Sequence, residues 1–171
     1  EMIIAIASYF AGGLSVRSVY FALMAFLIVV GLFLSYGTLY NRLLNRELAT
    51  NGVGYMLIHI FLIFALNNIS ASLEFMREEE ILLLPKTVFL VASLLTYYIF
   101  LFLTGRYCKK RCGFRLPFVL ALSCAGIAFA GLMLLLRERM LLNIALTVLF
   151  VFGIFFVLYR HGKHTEASIE P

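Results

Sequence analysis

The sequence predicts an all-α polytopic membrane protein, with about five full transmembrane helices and a partial one before them. Of the 171 residues, 63% are hydrophobic and 13% are charged, against about 45–50% and 25% in ordinary globular proteins. The apolar residues form runs of about 20 residues, which is the length that a helix needs to cross a bilayer. The mean hydropathy of +1.01 agrees with this class.

Six apolar runs follow one another along the chain. The first, MIIAIASYFAGG after Glu1, is shorter than a full span of about 20 residues and lacks the basic start of a signal peptide. We therefore expect a longer chain that has been cut inside this helix. Pro85 and Pro117 suit the first turns of two later helices, where a missing N–H costs nothing. The five full spans are predicted at about 18–40, 52–77, 85–103, 117–136 and 140–159.

These spans are predicted to form one domain, residues 1–162, followed by a polar tail at 163–171. The 14 Lys and Arg residues divide between the two predicted sides of the membrane, nine on one side and five on the other. The richer side includes Arg106, Arg160 and the loop 108–115, and the positive-inside rule makes it cytoplasmic. The sequence thus predicts a multi-pass protein of the cell membrane with a cytoplasmic C-terminus.

Charge and motifs disfavour several functional classes. The basic residues lie in short loops, so we expect no nucleic acid as partner, and the basic loop should instead attract anionic lipid headgroups of the bilayer. Cys108 and Cys112 in that loop are open to zinc binding, oxidation or acylation, but a plain loop is the favoured interpretation. The sequence has no Walker motif, HExxH or GxSxG. We predict no metal or cofactor and favour a protein that is not an enzyme.

The third predicted helix carries an unusual number of polar residues for a membrane span. At about 100° per residue, four of them fall within roughly an 80° arc, which we call the polar stripe: His59, Asn67, Ser70 and Glu74. Polar groups that face hydrocarbon are costly, so the polar stripe should face protein, water or a substrate. One interpretation is a proton or solute pathway, with His59 and Glu74 about 22 Å apart along it. The other is hydrogen bonding between helices that stabilises their packing.

Three further expectations concern the packing of the remaining helices. Tyr97 and Tyr98 lie well inside the fourth span, and their hydroxyls are expected to find partners on the polar stripe. The fifth span has small residues four apart, such as Gly126 and Ala130, and is predicted to be an internal packing helix that also buries Cys124. The sixth span, rich in Leu, Val and Phe, is expected to face lipid.

Three segments resemble the C-terminal part of the low temperature requirement protein A family: EMIIAIA at the start, LYNR at 39–42 and YMLIHIFLIFALNNISASLE in the third helix. The resemblance assigns family-motif roles to Glu1, Arg42, His59 and Glu74. Asn41 stands where the family has Asp, which removes a titratable group. The resemblance implies a bacterial multi-span protein whose bundle is completed by N-terminal helices of the same chain or by an oligomer. It implies no established biochemical activity.

Three hypotheses about function follow from the polar stripe. The leading one is a transporter-like or channel-like protein, in which the stripe lines a polar cavity and Glu1 and Arg42 contribute from neighbouring helices. The alternative is a structural or assembly protein, and a third is an intramembrane lipid-modifying enzyme. A hydrated cavity that reaches His59 favours transport, whereas a stripe that is fully paired between helices favours a structural role.

Overall fold

The computed structural model describes residues 15–43, 52–77, 82–107, 114 and 116–167, together with the isolated positions Ile4 and Ala7. This part of the chain contains five α-helices and no strand: α1 (Val16–Thr38), α2 (Val53–Arg77), α3 (Leu83–Leu103), α4 (Leu116–Leu135) and α5 (Met140–Ala167). A π-helical turn, Leu39–Leu43, continues α1, and a 3-10 turn, Thr104–Tyr107, continues α3. All five helices are long and apolar enough to cross a membrane, which confirms the predicted all-α class and a multi-pass membrane protein.

The helix boundaries lie close to those predicted from the sequence. The hydroxyl of Ser15 accepts a hydrogen bond from the backbone N–H of Ser18 and caps the start of α1. Pro85 and Pro117 both lie in the first turn of a helix, at the third position of α3 and the second of α4. The largest difference is at α5, which continues past Tyr159 to Ala167. No proline interrupts this segment, so nothing in the backbone stops the helix at the membrane surface.

Two helix pairs form most of the packing. α2 and α3 lie side by side as an antiparallel hairpin, because Phe61 contacts Phe100 while Phe75, further along α2, contacts the earlier Phe89. α1 packs along α5 in the parallel direction. The hydroxyl of Tyr20 donates to the carbonyl of Leu141, 3.0 Å away, at the start of both helices. The hydrophobic core contains buried residues of all five helices.

The expected contrast between the last two helices was wrong, because a larger share of α5 than of α4 is buried, although α5 also exposes an apolar side. α4 buries only Gly126, Phe129 and Met133, and its Cys124 is exposed. α5 instead packs closely on α1, and it buries the polar side chains of Asn143 and Thr147. Hydropathy does not distinguish a helix packed inside the protein from one that faces lipid, because lipid tails are as apolar as the leucines of a protein interior.

Lys86 is a charged residue that the structure buries near the start of a membrane span. It lies one turn into α3 and is only 3% exposed. Pro85 and Phe89 of α3 and Phe75 of α2 surround a small cavity beside it. A long lysine stem can cover apolar surface in this way while its ammonium group is directed towards the helix end.

Candidate functional site

The polar stripe of α2 does not share one environment. Ser70 is buried, and its hydroxyl donates to the carbonyl of Leu66 one turn earlier, at 3.2 Å. His59 is half-buried, whereas Asn67 and Glu74 are exposed. Because α2 is one continuous helix over Val53–Arg77, the four residues lie at different depths and do not converge on a common point. The stripe therefore has a paired part, in which His59 and Ser70 form hydrogen bonds, and an exposed part, which consists of Asn67 and Glu74.

His59 belongs to the paired part and has a hydrogen-bond partner at each ring nitrogen. Nδ1 lies 2.8 Å from the carbonyl oxygen of Tyr55, and Nε2 lies 3.0 Å from the hydroxyl of Tyr36. A carbonyl can only accept, so Nδ1 donates to Tyr55, while Nε2 shares a hydrogen bond with the tyrosine hydroxyl. The imidazole thus links α1 to α2. Its geometry is that of a residue that holds two helices together.

Aromatic rings surround His59. The ring of Tyr55 lies 4.2 Å from the imidazole, and that of Tyr36 lies 5.9 Å away in an edge-on arrangement. Tyr107, in the 3-10 turn after α3, meets Tyr55 edge-on at 5.4 Å. Space for Tyr107 exists because residue 54 is glycine: a Cβ there would lie 2.6 Å from the Tyr107 hydroxyl. This His59 cluster (Tyr36, Tyr55, His59 and Tyr107) joins α1, α2 and the end of α3.

The sequence contains one signal for the His59 cluster, which is the similar depth of Tyr36 and His59 in the membrane. Tyr36 is near the end of α1 and His59 is near the start of the following antiparallel helix, so both side chains lie at a similar distance from the connection. Residues that flank a connection at equal distance meet across two antiparallel helices. The sequence analysis did not predict the pairing of Tyr36 with His59.

On the opposite side of α2, polar residues pack against α3. Ser72 is fully buried, and its hydroxyl lies 3.5 Å from that of Ser93. Each hydroxyl also donates to a carbonyl in its own helix at 2.7 Å, Ser72 to Asn68 and Ser93 to Phe89. The two serines are therefore satisfied within their own helices. Their main contribution is their small size, which lets α2 and α3 approach.

The exposed part of the stripe consists of Asn67 and Glu74. Neither side chain has a hydrogen bond or an ion pair with the residues that the structure describes. Two isoleucines on the same side of α2 are also exposed, and the exposed fraction of the residue is 59% for Ile60 and 58% for Ile63. We call this side, which is formed by Ile60, Ile63, Asn67 and Glu74, the Asn67 edge.

The family-motif residues are not brought together by the described part of the chain. Asn41 is exposed in the π-helical turn, and only the backbone of Arg42 in that turn is described. Glu1 lies outside the described residues, as do Cys108 and Cys112. Single-turn π-helical segments occur frequently at functional sites, so the 39–43 turn is a site candidate beside the polar stripe.

The expected partners of the two mid-span tyrosines were wrong. The hydroxyl of Tyr97 donates to the backbone carbonyl of Leu32 in α1 at 2.8 Å, and not to the polar stripe. The hydroxyl of Tyr98 is buried without a hydrogen-bond partner in the described structure. α3 thus presents Ser93 to α2 and Tyr97 to α1.

Two of the cavities between the described helices are not lined by His59. The larger has a volume of about 700 Å³ and lies between α3 and α4, with walls that are mostly apolar. The smaller, of about 230 Å³, is the one beside Lys86. Among the described residues, no three His, Cys, Asp or Glu side chains are placed to hold a metal ion together.

Comparison with protein-family models, with curated proteins and with solved structures finds no match for this chain. The resemblance to the low temperature requirement protein A family therefore stays a prediction that rests on short sequence motifs. The function has to follow from the polar groups and surfaces that the structure itself presents.

Proposed function

We propose that this protein is a membrane-embedded assembly protein, in which the Asn67 edge of α2 packs against another transmembrane helix. The observation that carries the proposal is the exposure of Asn67 in the middle of a span. The span containing α2 has 24 residues, or about 36 Å, and Asn67 lies about 21 Å from the start of the helix. This depth is close to the centre of the hydrocarbon core.

An exposed carboxamide at that depth is costly. An amide without a hydrogen-bond partner in an apolar medium costs roughly 2–7 kcal/mol, and the bilayer core offers no water to replace the partner. Transmembrane helices remove this cost by pairing polar side chains across a helix interface. Ile60 and Ile63 flank Asn67 with exposed apolar surface, so a partner helix would gain packing as well as a hydrogen bond.

A second copy of this chain is the partner that fits the chemistry best. A carboxamide carries both a donor and an acceptor, so two asparagines can satisfy each other. A two-fold axis along the membrane normal places the Asn67 residues of both copies at the same depth. Glu74 lies one turn from the end of α2, where the headgroup region and water can solvate its carboxylate.

The test is disulfide cross-linking in membranes, in a background without Cys108, Cys112 and Cys124. A cysteine at position 63, which lies on the same edge and keeps Asn67 in place, should give a covalent dimer under mild oxidation, whereas a cysteine at the buried position 69 should not. A cysteine at 63 that gives only monomer, while lipid-soluble thiol reagents label it freely, would exclude the second copy. Adducts to another polypeptide would also overturn the self-association.

Transport is the second candidate, and the His59 cluster is the observation that favours it. A titratable imidazole that is half-buried inside a span and hydrogen-bonded to a tyrosine has the groups of a proton relay. Water-soluble thiol reagents should then label cysteines at 59, 63, 67 and 70 and spare the positions between them. Protection of all four positions in the membrane, with labelling after denaturation, would instead support assembly.

We further propose the topology and the family on sequence grounds. The excess of Lys and Arg at the Arg106 end of α3 supports a cytoplasmic C-terminus in a bacterial inner membrane. α1 and α5 run in the same direction, which agrees with the alternation that this topology requires. A phosphatase reporter that is active only outside the cytoplasm should be inactive when fused to the C-terminus, and activity there would reverse the assignment. Membership of the low temperature requirement protein A family rests on the motifs named above.

A further inference from the structure

We infer that the groove between α3 and α4 is a binding site for one acyl chain of an anionic phospholipid, whose phosphate pairs with Arg106. This site is separate from the Asn67 edge and does not depend on the proposed assembly. Its volume of about 700 Å³ lies within the range of ligand pockets, about 300–1,000 Å³. Among the described residues that line it, only Arg106 is charged.

The groove opens to the lipid side of the protein. Residues of both helices that line it are exposed, among them Ile99 of α3 and Ile127 of α4. Phe150 and Ile154 of α5 close its back. α4 packs only lightly on α3, and a Cβ at Gly126 would lie 3.2 Å from Leu95, which marks where the two helices come close. A lipid chain can therefore enter from the bilayer without any helix moving.

The length of the groove matches one leaflet. Along α3 it runs from Leu95 to Arg106, which is about 16 Å at 1.5 Å per residue. The hydrocarbon core is about 30 Å thick, so one leaflet contributes about 15 Å. The closed end near Leu95 and Gly126 thus lies at mid-membrane, and Arg106 lies at the headgroup level. A ligand with an apolar chain and an anionic head fits both ends.

The positive charge of Arg106 indicates that the headgroup of the bound lipid is anionic. Arg106 is exposed and has no ion-pair partner among the residues that the structure describes. A guanidinium group binds phosphate oxygens with two parallel hydrogen bonds. The aromatic wall next to it is rigid, since Phe114 stacks on Phe118 at 5.2 Å and meets Phe102 edge-on at 5.4 Å. This wall holds the first carbons of the chain below the phosphate.

The test measures lipid bound to the purified full chain by native mass spectrometry, with phosphatidylglycerol and phosphatidylcholine as probes. The wild type should prefer phosphatidylglycerol by about fivefold, which is the effect of one basic residue near a membrane surface. Arg106→Gln should remove this preference, because it should weaken the binding of phosphatidylglycerol more than that of phosphatidylcholine, whose choline offsets the charge of the same phosphate. Arg137→Gln, at the other end of α4, is the matched control and should keep the preference. Equal binding of both lipids by the wild type would overturn the assignment of Arg106.

Two further variants test the groove itself. Ser123→Phe places a ring on the groove wall, whereas Cys124→Phe places the same ring on the neighbouring exposed position that does not line the groove. Ser123→Phe should lose the retained lipid and Cys124→Phe should keep it. Equal retention by both variants, or equal loss, would overturn the proposal.

A measurement on the wild type covers the case in which Ser123→Phe does not fold. Phosphatidylglycerol with a photoreactive group at the end of one chain should label the groove near Leu95 and Ile127. Labelling spread evenly over the exposed leucines and phenylalanines of α1 would show annular lipid only and would overturn the site. Asn67→Leu should leave this labelling unchanged, which separates the groove from the proposed assembly.

Discussion

The hydroxyl of Tyr36 lies 3.0 Å from Nε2 of His59 and is a direct polar link between α1 and α2. The other nitrogen of the imidazole is already bonded to its own helix, so the ring orientation is fixed from both sides. A bond of this kind in a membrane protein contributes about 0.6 kcal/mol on average and up to about 1.7 kcal/mol. It is the strongest reason to assign His59 to helix packing.

The first prediction concerns this bond. Tyr36→Phe and His59→Leu should each lower the free energy of unfolding, and a double-mutant cycle should give a coupling of about 0.6–1.7 kcal/mol. The reason is that each single change removes the same hydrogen bond. The measurement is unfolding in mixed detergent micelles with increasing dodecyl sulfate. Additive effects of the two substitutions would mean that the Tyr36–His59 bond adds nothing to stability.

The second prediction compares two glycines of α1. A Cβ at Gly31 would lie 2.5 Å from Cγ1 of Val151 in α5, whereas a Cβ at Gly37 meets nothing within 4 Å. Val151 is fully buried and β-branched, so it cannot turn away. Gly31→Ala should therefore lower the free energy of unfolding by about 1–3 kcal/mol. Gly37→Ala, the control, should be neutral or raise it by about 0.5–1 kcal/mol, because alanine favours the helix.

The sequence contained enough information to predict the helices. Hydrocarbon thickness sets their length, and prolines at positions such as Pro85 mark their first turns, so both leave a direct trace in the order of residues. The arrangement of the helices was less predictable from the sequence than their boundaries. Small residues on α4 predicted an internal helix, but of its two glycines only Gly126 has a neighbour within 4 Å of an added Cβ.

The environment of the polar stripe was only half predictable. Helical periodicity correctly places His59, Asn67 and Ser70 near one side of α2. The boundary between buried and exposed surface crosses that side, and its position depends on how α1 and α3 pack on α2. Tyr36 joins α1 to α2 through His59, and Tyr97 joins α3 to α1 through Leu32, and both contacts link residues that are far apart in sequence. Periodicity within one helix carries no information on such contacts.

The third prediction concerns the serines between α2 and α3. Replacing both Ser72 and Ser93 by alanine should change the free energy of unfolding by less than about 0.5 kcal/mol. Each hydroxyl is bonded mainly to its own helix, and a serine that bonds back in this way slightly destabilises the helix. Ser93→Leu should cost about 1–3 kcal/mol, because the buried interface has no room for it. A large loss in the double alanine variant would show that the hydroxyl pair itself joins the helices.

The fourth prediction uses the neighbouring tyrosines of α3. Tyr97→Phe should lower the free energy of unfolding by about 1 kcal/mol, since it removes the hydrogen bond to the Leu32 carbonyl. Tyr98→Phe should leave it unchanged or raise it, because the hydroxyl of Tyr98 is buried without a partner among the described residues. Both changes remove one oxygen from adjacent buried rings, so each is the control for the other. The same loss from both would contradict the assignment of partners.

The last prediction tests the proposed assembly by removing its polar contact. Asn67→Leu should weaken self-association in micelles by about fivefold to thirtyfold, which corresponds to about 1–2 kcal/mol for a polar contact between membrane helices. Ile63→Leu changes a neighbour on the same edge without altering its polarity, so it should have little effect. The measurement is energy transfer between labelled copies at increasing dilution in detergent. Because leucine suits a lipid-facing position better than asparagine, the variant should also be at least as stable as the wild type when it is monomeric. Unchanged association together with raised stability would show that Asn67 faces lipid and that the helix partner does not exist.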